Sequence, residues 1–353
     1  MIKTEKYVIN RVGLTPKFEK PHIQEKLKTK KRGKASPIHP FSVKIHSMDD
    51  KNLELDFIGL DFSLANAYRR IILAEVATMA IEKVHMYNNT SIVQDEVLAH
   101  RIGLVPLSIS PHFFNFRKPG STESEDVTEE TCLKFKLRVK CRGKKDTRPN
   151  AVQDPDDVST DLVDKLVTTE DLQWVPIGNQ ASTFEGVTVA PLVEDLKLPA
   201  DIKCNFHITL AKLNPGQKIL LEAYAYKGIG SDHAKFQPGL CWYRMLPEVT
   251  LNRRVLNEHA RQLQQCFSPG VIELIKNEEG DEEAIVMDAR YDTSSRNVYK
   301  YDHLKDAVTM TKNTKHIIFH VESHSAMKSY EILDSAVTIM IEKCDTLLQL
   351  LET

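Results

Sequence analysis

The run "AMKSYEILDSAVTIMIEKCDTLLQLLE", residues 326–352, limits the possible folds more than any other stretch of the chain. Ala326, Tyr330, Leu333, Val337, Met340, Cys344, Leu347 and Leu351 step by four and three in alternation, which draws a 3.5-residue seam along one helix. Ile332, Ala336, Ile339, Ile341 and Leu348 carry apolar surface well past that seam. A helix apolar over so much of its circumference needs cover from more than one side. A sheet of the same chain is expected to cover one side, and a second body the rest.

The pieces for the first cover lie near the other end. Phe41, Val43 and Ile45 alternate with Ser42, Lys44 and His46, and after the turn-like "DDKN" Leu53, Leu55 and Phe57 alternate with polar neighbours. Two period-2 runs about a polar turn predict a β-hairpin with one buried face, ended by Gly59. The period then changes. Leu64, Ala67, Tyr68, Ile71 and Ile72 fall on one helical stripe, and Asp61 or Ser63 is placed to cap it. Arg69 and Arg70 lie off the stripe. A strand is expected from Met79 to Tyr87. A short helix follows in "IVQDEVLAHR", with Val93, Val97 and Leu98 on one face and Gly103 as the residue beyond its end. Its acids come early and His100 and Arg101 late, the order favoured by the helix dipole.

Further along, "CLKFKLRVKC" alternates cleanly, with Leu133, Phe135, Leu137 and Val139 on one face and Lys134, Lys136, Arg138 and Lys140 on the other. No aromatic residues interleave with the lysines, so a solvated strand face is expected rather than a phosphate-binding one. Loops are expected over 111–131 and 142–170, strands in "KCNFHITL", "KILLEAYAY" and "HIIFHVES", and a flexible basic tail over residues 1–39 that includes Lys26–Lys34.

Composition narrows the function. The 47 Lys and Arg nearly balance the 49 Asp and Glu, for a net charge of −2, a poor profile for a protein whose main task is holding phosphate backbone. No base-specific DNA contact is expected. Cys132, Cys141, Cys204, Cys241, Cys266 and Cys344 make no CxxC and no zinc-finger spacing, so no metal site is expected. No apolar leader and no membrane-length apolar run is seen, so an intracellular chain with reduced thiols and no membrane contact is expected.

The candidate chemistry is thin. Glu96 and His100 are four apart on one helix, but HExxH is absent. Asp232, His233 and Lys235 cluster beside the glycines of "KGIG", which lacks phosphate-loop spacing; a loop that positions a neighbouring chain is the expected role. An enzyme would require a convergent pocket around His100 or His233. Catalytic residues and cofactors are expected to be none.

"SLANAYRRIILAEVATMAIEKVHMYNNTSIVQDEVLAHRIGLVPL", Ser63–Leu107, closely resembles the alpha motif of the alpha-like subunits of multisubunit RNA polymerases. "KGIGSDHAKFQP" and "CFSPGVIE" match the same family in the right order, and "YNNTSIVQDE" and "YRMLPEVTL" look like the larger subunit of the branch shared by RNA polymerases I and III. The resemblance covers roughly residues 40 to 351. It implies an α+β fold: a discontinuous dimerisation domain over 40–82 and 240–353, an antiparallel sheet with two packed helices, with a mainly β insert domain at 83–239. It implies a non-catalytic scaffold in nucleus and nucleolus that supports synthesis of rRNA precursor, 5S rRNA and tRNA. Its partners would be a smaller alpha-like chain, the second-largest subunits of polymerases I and III, and small zinc-bearing subunits. The interface residues so implied are Leu64, Ala67, Tyr68, Arg69, Arg70, Ile71, Ile72, His100, Arg101, Asp232, His233, Lys235, Leu333, Val337, Met340 and Leu347. The polymerase II counterpart binds zinc through a cysteine cluster; here that region has only Cys132 and Cys141. The equivalent subunit of polymerase II or of an archaeal polymerase is the alternative reading.

Overall fold

The computed structural model describes residues 7–10, 13–16, 41–118, 120, 127–141, 165–192 and 207–352. Within residues 1–41, taken as a unit by itself, β1 (Tyr7–Asn10) and β2 (Gly13–Pro16) pair antiparallel, where a tail without structure was expected. Each strand is only four residues long, too short for a period to show. The Lys26–Lys34 run lies outside the described residues.

In the second unit the early hairpin forms. β3 (Ser42–Met48) and β4 (Asn52–Ile58) pair antiparallel, with Val43 opposite Phe57 and Ile45 opposite Leu55. Asp61 caps α1 (Phe62–Ala74) by accepting from the Ser63 amide at 2.9 Å, which satisfies one of the open amides of the first turn. β5 (Ala77–Asn89) and α2 (Asp95–Gly103) follow. Gly103 lies inside α2, and right-handed Leu104 is the C-cap. A Cβ at Gly103 would make an ordinary contact, 3.4 Å from the Ile81 carbonyl, and this glycine is not a left-handed cap. Leu98, Ile102 and Gly103 are the buried residues of α2, while Val97 faces outward.

The middle of the chain holds β6 (Cys132–Lys140), β7 (Lys165–Thr168), β8 (Leu172–Val175), a short α3 (Gln180–Thr183), β9 (Thr209–Leu213) and β10 (Lys218–Ile229). Strand β7 falls where a loop was expected; residues 142–164 lie outside the described residues. The last third adds β11 (Gly239–Leu251), α4 (Asn257–Cys266), β12 (Ile272–Lys276), β13 (Glu282–Val286), β14 (Val308–Ser323) and α5 (Ser329–Glu352).

The main sheets are antiparallel and four-stranded. One has the order β5-β10-β6-β8, with Leu133, Phe135 and Leu137 buried against Leu98 and Ile102. The other has the order β11-β14-β4-β3 and draws its strands from both ends of the unit. Helices α1 and α5 pack on one face of that second sheet. Leu53, Leu55 and Phe57 of β4 and Ile317, Phe319 and Val321 of β14 meet Ala65, Ile72, Ile332 and Ala336 there. This is the α+β arrangement of sheet and two helices that the resemblance implied. A third cluster, around α4 and the β12–β13 hairpin, buries Leu263, Val271, Val298 and Leu304.

Every residue of β3 is exposed, so the hairpin buries a face of β4 alone: the helix layer stops before the edge strand. Leu64 is 46% exposed and Ala65 takes the buried place at that end of α1. Lys343 Nζ of α5 lies 2.6 Å from Glu75 Oε1, just beyond the C-terminal end of α1, while Phe62 and Leu64 of the first turn of α1 are exposed.

Candidate subunit interface

Val43, Ile45 and Met48 stand opposite Phe57, Leu55 and Leu53 in the β3–β4 register. Cross-strand partners share a sheet face. The apolar face that α1 and α5 cover on β4 therefore runs on, uncovered, across the edge strand. Leu64 and Phe62 of α1 are exposed as well.

Helix α5 divides along its length. Ile332 and Ala336 are buried, and Leu333, Ile339 and Met340 pack partly buried against the same core; Val337 is half-buried. From Ile341 to Leu350 every residue is exposed, including Leu347 at 61%, and Leu351 beyond them is 82% exposed. Half of the 3.5-residue seam thus serves the chain's own sheet, and half has no cover. Full burial of one such leucine is worth about 1.5–3 kcal/mol.

The other expected interface residues of α1 differ among themselves. Ile71 and Ile72 are core residues with no surface to offer. Tyr68 is half-buried and stacks on Phe57, with ring centroids 6.4 Å apart. Ala67 is half-buried, Arg70 is exposed, and Arg69 is held by donating to Asn66 Oδ1 at 3.1 and 3.0 Å.

His100, His233 and Lys235 converge on a separate 210 Å³ pocket, with Glu82 and Ile81 in its wall. This is the pocket that an enzyme reading requires. Its Lys235 is committed: Nζ donates to the Ile81 carbonyl at 2.9 Å and pairs with Glu82. His233 Nδ1 accepts from the Lys235 amide at 3.1 Å and caps the turn 234–236. The pocket's described lining holds no hydroxyl or thiol. Asp232 is exposed beside it, and Arg101 Nη2 donates to the Thr209 carbonyl at 2.5 Å, which ties α2 to β9. The glycines before this loop are close-packed. A Cβ at Gly228 would lie 2.6 Å from the Phe236 ring.

Cys132 opens the nine-residue β6 and Cys141 directly follows its end, roughly 30 Å away, so the two cannot share one ion. Among the described residues no three His, Cys, Asp or Glu side chains are grouped to hold a metal. Burial pushes the Cys241 thiol up to about 12, so it carries no thiolate near neutral pH. Lys134 pairs with Glu222 at 3.0 Å, which takes one cation of the β6 face out of phosphate contact.

Sequence reasoning missed Val43, Ile45 and Met48 as interface candidates. Their alternation signalled a strand, but nothing local marked it as an edge strand beyond the helices.

Residues 54–344 match a family described as the RNA polymerase Rpb3/Rpb11 dimerisation domain. The chain is 44% identical over 305 residues to the DNA-directed RNA polymerases I and III subunit RPAC1 of Mus musculus, covering 86% of this chain and 82% of that one. The subunit of the same name from Saccharomyces cerevisiae is 41% identical over 308 residues, covering 87% of this chain and 86% of the relative. The DNA-directed RNA polymerase II subunit rpb3 of Dictyostelium discoideum is 28% identical over 310 residues, with 84% and 90% covered.

Proposed function

Since this chain belongs to the RNA polymerase Rpb3/Rpb11 dimerisation-domain family, we propose that it is the larger alpha-like subunit of DNA-directed RNA polymerases I and III. Its role is assembly. The polymerase is a nucleotidyltransferase, and this chain contributes a scaffold and no catalytic group. Its partner across α1, α5 and the edge strand is a smaller alpha-like chain, and the pair anchors the second-largest subunits and small zinc-bearing subunits. It works in the nucleus, the nucleolus included, and makes no base-specific contact with DNA. The dimerisation domain comprises 40–82 and 240–353, the two stretches that supply β3, β4, β11 and β14 to one sheet, and 83–239 is inserted between them.

The observation that carries this reading is the bare second half of α5. Its leucines are spaced to be buried and this chain does not bury them. The alternative, the equivalent subunit of polymerase II or of an archaeal polymerase, is favoured by none of the contacts described, and the polymerase II relative is less similar than the polymerase I and III ones.

Co-expression with the smaller alpha-like chain tests the interface. Leu347→Asp is expected to reduce recovery of the pair on pull-down by at least tenfold and to leave the isolated chain folded. Undiminished recovery would overturn the assignment of this helix.

A further inference from the structure

A carboxylate oxygen inside a protein without a donor is destabilising, and such groups are rare in native structures. Asp292 is 5% exposed, and its Oδ1 has no hydrogen-bond partner. Asn88 Oδ1, Trp174 Nε1 and His320 Nδ1 are also unpartnered among the described residues, and Asp292 is the one carboxylate of the four. Asp292 lines a cleft of 320 Å³. One wall is the β11–β14 ladder, where Pro247 faces Lys312, Glu248 faces Thr311 and Val249 faces Met310. The other wall is the segment 292–299, which contributes Ser294, Arg296 and Tyr299. Ser294 and Arg296 are both left-handed, at φ 58° and 57°, a conformation that residues other than glycine seldom hold.

We propose that this cleft is a socket for one arginine side chain of a partner polypeptide, with Asp292 as its charge partner. Five observations select that ligand. Asp292 needs a donor, and no side chain of the described residues supplies one. A divalent ion is a poor fit, because among the described residues no third acidic, histidine or cysteine ligand is grouped there, and hard cations want six or more oxygens. Tyr299, Met310 and Pro247 line the cleft, and an aromatic ring with apolar neighbours suits a planar guanidinium and its methylene stem better than an ammonium. Glu248 is already an acceptor for Asn313 Nδ2 at 2.9 Å, so Asp292 is the free acid of the cleft. Arg296 and Lys312 are exposed and have no ion-pair partner among the described residues. They repel a purely basic ligand and favour an arginine with an acidic neighbour. The inference rests on the chain being a subunit of a larger assembly, since the socket needs a polypeptide to fill it.

The test uses the full chain and two capped peptides, one containing Glu-Arg and one with citrulline, the neutral isostere, in place of arginine. Calorimetric titration is expected to show saturable binding of the arginine peptide, at least tenfold weaker for citrulline and at least tenfold weaker to Asp292→Asn. Tyr299→Ala, an exposed change that leaves the core intact, is expected to weaken the arginine peptide several-fold. The melting temperature of isolated Asp292→Asn is expected to equal or exceed that of the parent, because an unpaired buried charge is removed. Equal binding of both peptides, or none, would overturn the proposal. So would a matching, non-additive loss of melting temperature in Asp292→Asn and Arg296→Ala, which would make Arg296 of this chain the partner of Asp292. Co-purification of the unaltered chain with polymerase subunits is read independently of the peptides, so failure of the socket and failure of the scaffold reading are separable.

Discussion

Arg290 ties together parts of the chain that are far apart in sequence. Its Nη1 donates to both oxygens of Asp56 at 2.9 Å and its Nη2 to Glu54 Oε1 at 2.5 Å, while His316 Nε2 lies 2.9 Å from Asp56 Oδ2. Arg290 and Asp56 are both buried. Burial pushes the Asp56 carboxyl up, and the hydrogen bonds from His316 and Arg290 outweigh it and hold the group below the ordinary carboxylate range. A carboxyl whose folded pKa lies below its unfolded one adds stability that is present above the unfolded value, near 4, and is lost as pH falls through the folded value. Asp56→Ala removes that and leaves Arg290 short of a counter-charge, with an expected cost of about 3–5 kcal/mol in urea unfolding at pH 7. The gap between variant and parent is expected to close as the pH is lowered from about 4. A gap unchanged down to pH 2 would contradict the linkage. Gly230 gives a second residue-scale expectation. A Cβ there would collide with the carbonyl oxygen of Leu73, and Gly230→Ala is expected to lower the melting temperature by several degrees. Sequence showed the glycines of "KGIG" but not their purpose, because the need for a missing Cβ arises from a backbone that is distant in sequence. Likewise Asp56 reads as the outward half of an alternating strand, and only the fold brings Arg290, 234 residues away, onto it.

At the scale of elements, periodicity carried most of the information. The hairpin β3–β4, helix α1, strand β6 and helix α5 were all visible as period-2 or period-3.6 runs, because each has one apolar side of useful length. What periodicity could not tell was which apolar side finds cover. Val43 and Phe57 belong to equally regular runs, yet one lies on an edge strand and the other under helices. Elements α4, β12 and β13 went unread, since the exposed strand positions are mixed and the helix is short and polar around its buried Ala260 and Leu263. The two halves of α5 give a paired prediction. Ile332→Ala, in the covered half, is expected to destabilise the isolated chain by about 2–5 kcal/mol. Leu347→Ala, in the bare half, is expected to change it by less than about 0.5 kcal/mol and to weaken the complex with the smaller alpha-like chain. Met340→Lys falls between the halves, partly buried on the chain's own core, and is expected to harm both. Equal effects of Ile332→Ala and Leu347→Ala on the isolated chain would show that the helix is covered along its whole length.

For the whole molecule, the decisive clue was the agreement of several long blocks in order, which identified the family where no single motif carried chemistry. The sheet built from both ends of the second unit follows from the same order, with β3 and β4 early and β11 and β14 late. The distance between Cys132 and Cys141 leads to the expectation that elemental analysis of the purified chain finds less than about one tenth of a zinc per molecule; a full equivalent would contradict it. The central claim is that this chain is a scaffold common to two polymerases, and affinity purification of the tagged full chain from its own cells, with mass spectrometry of what co-purifies, tests it most directly. Recovery of the largest and second-largest subunits of both polymerase I and polymerase III together with the smaller alpha-like chain is expected, and recovery of polymerase II subunits in their place would contradict the scaffold assignment.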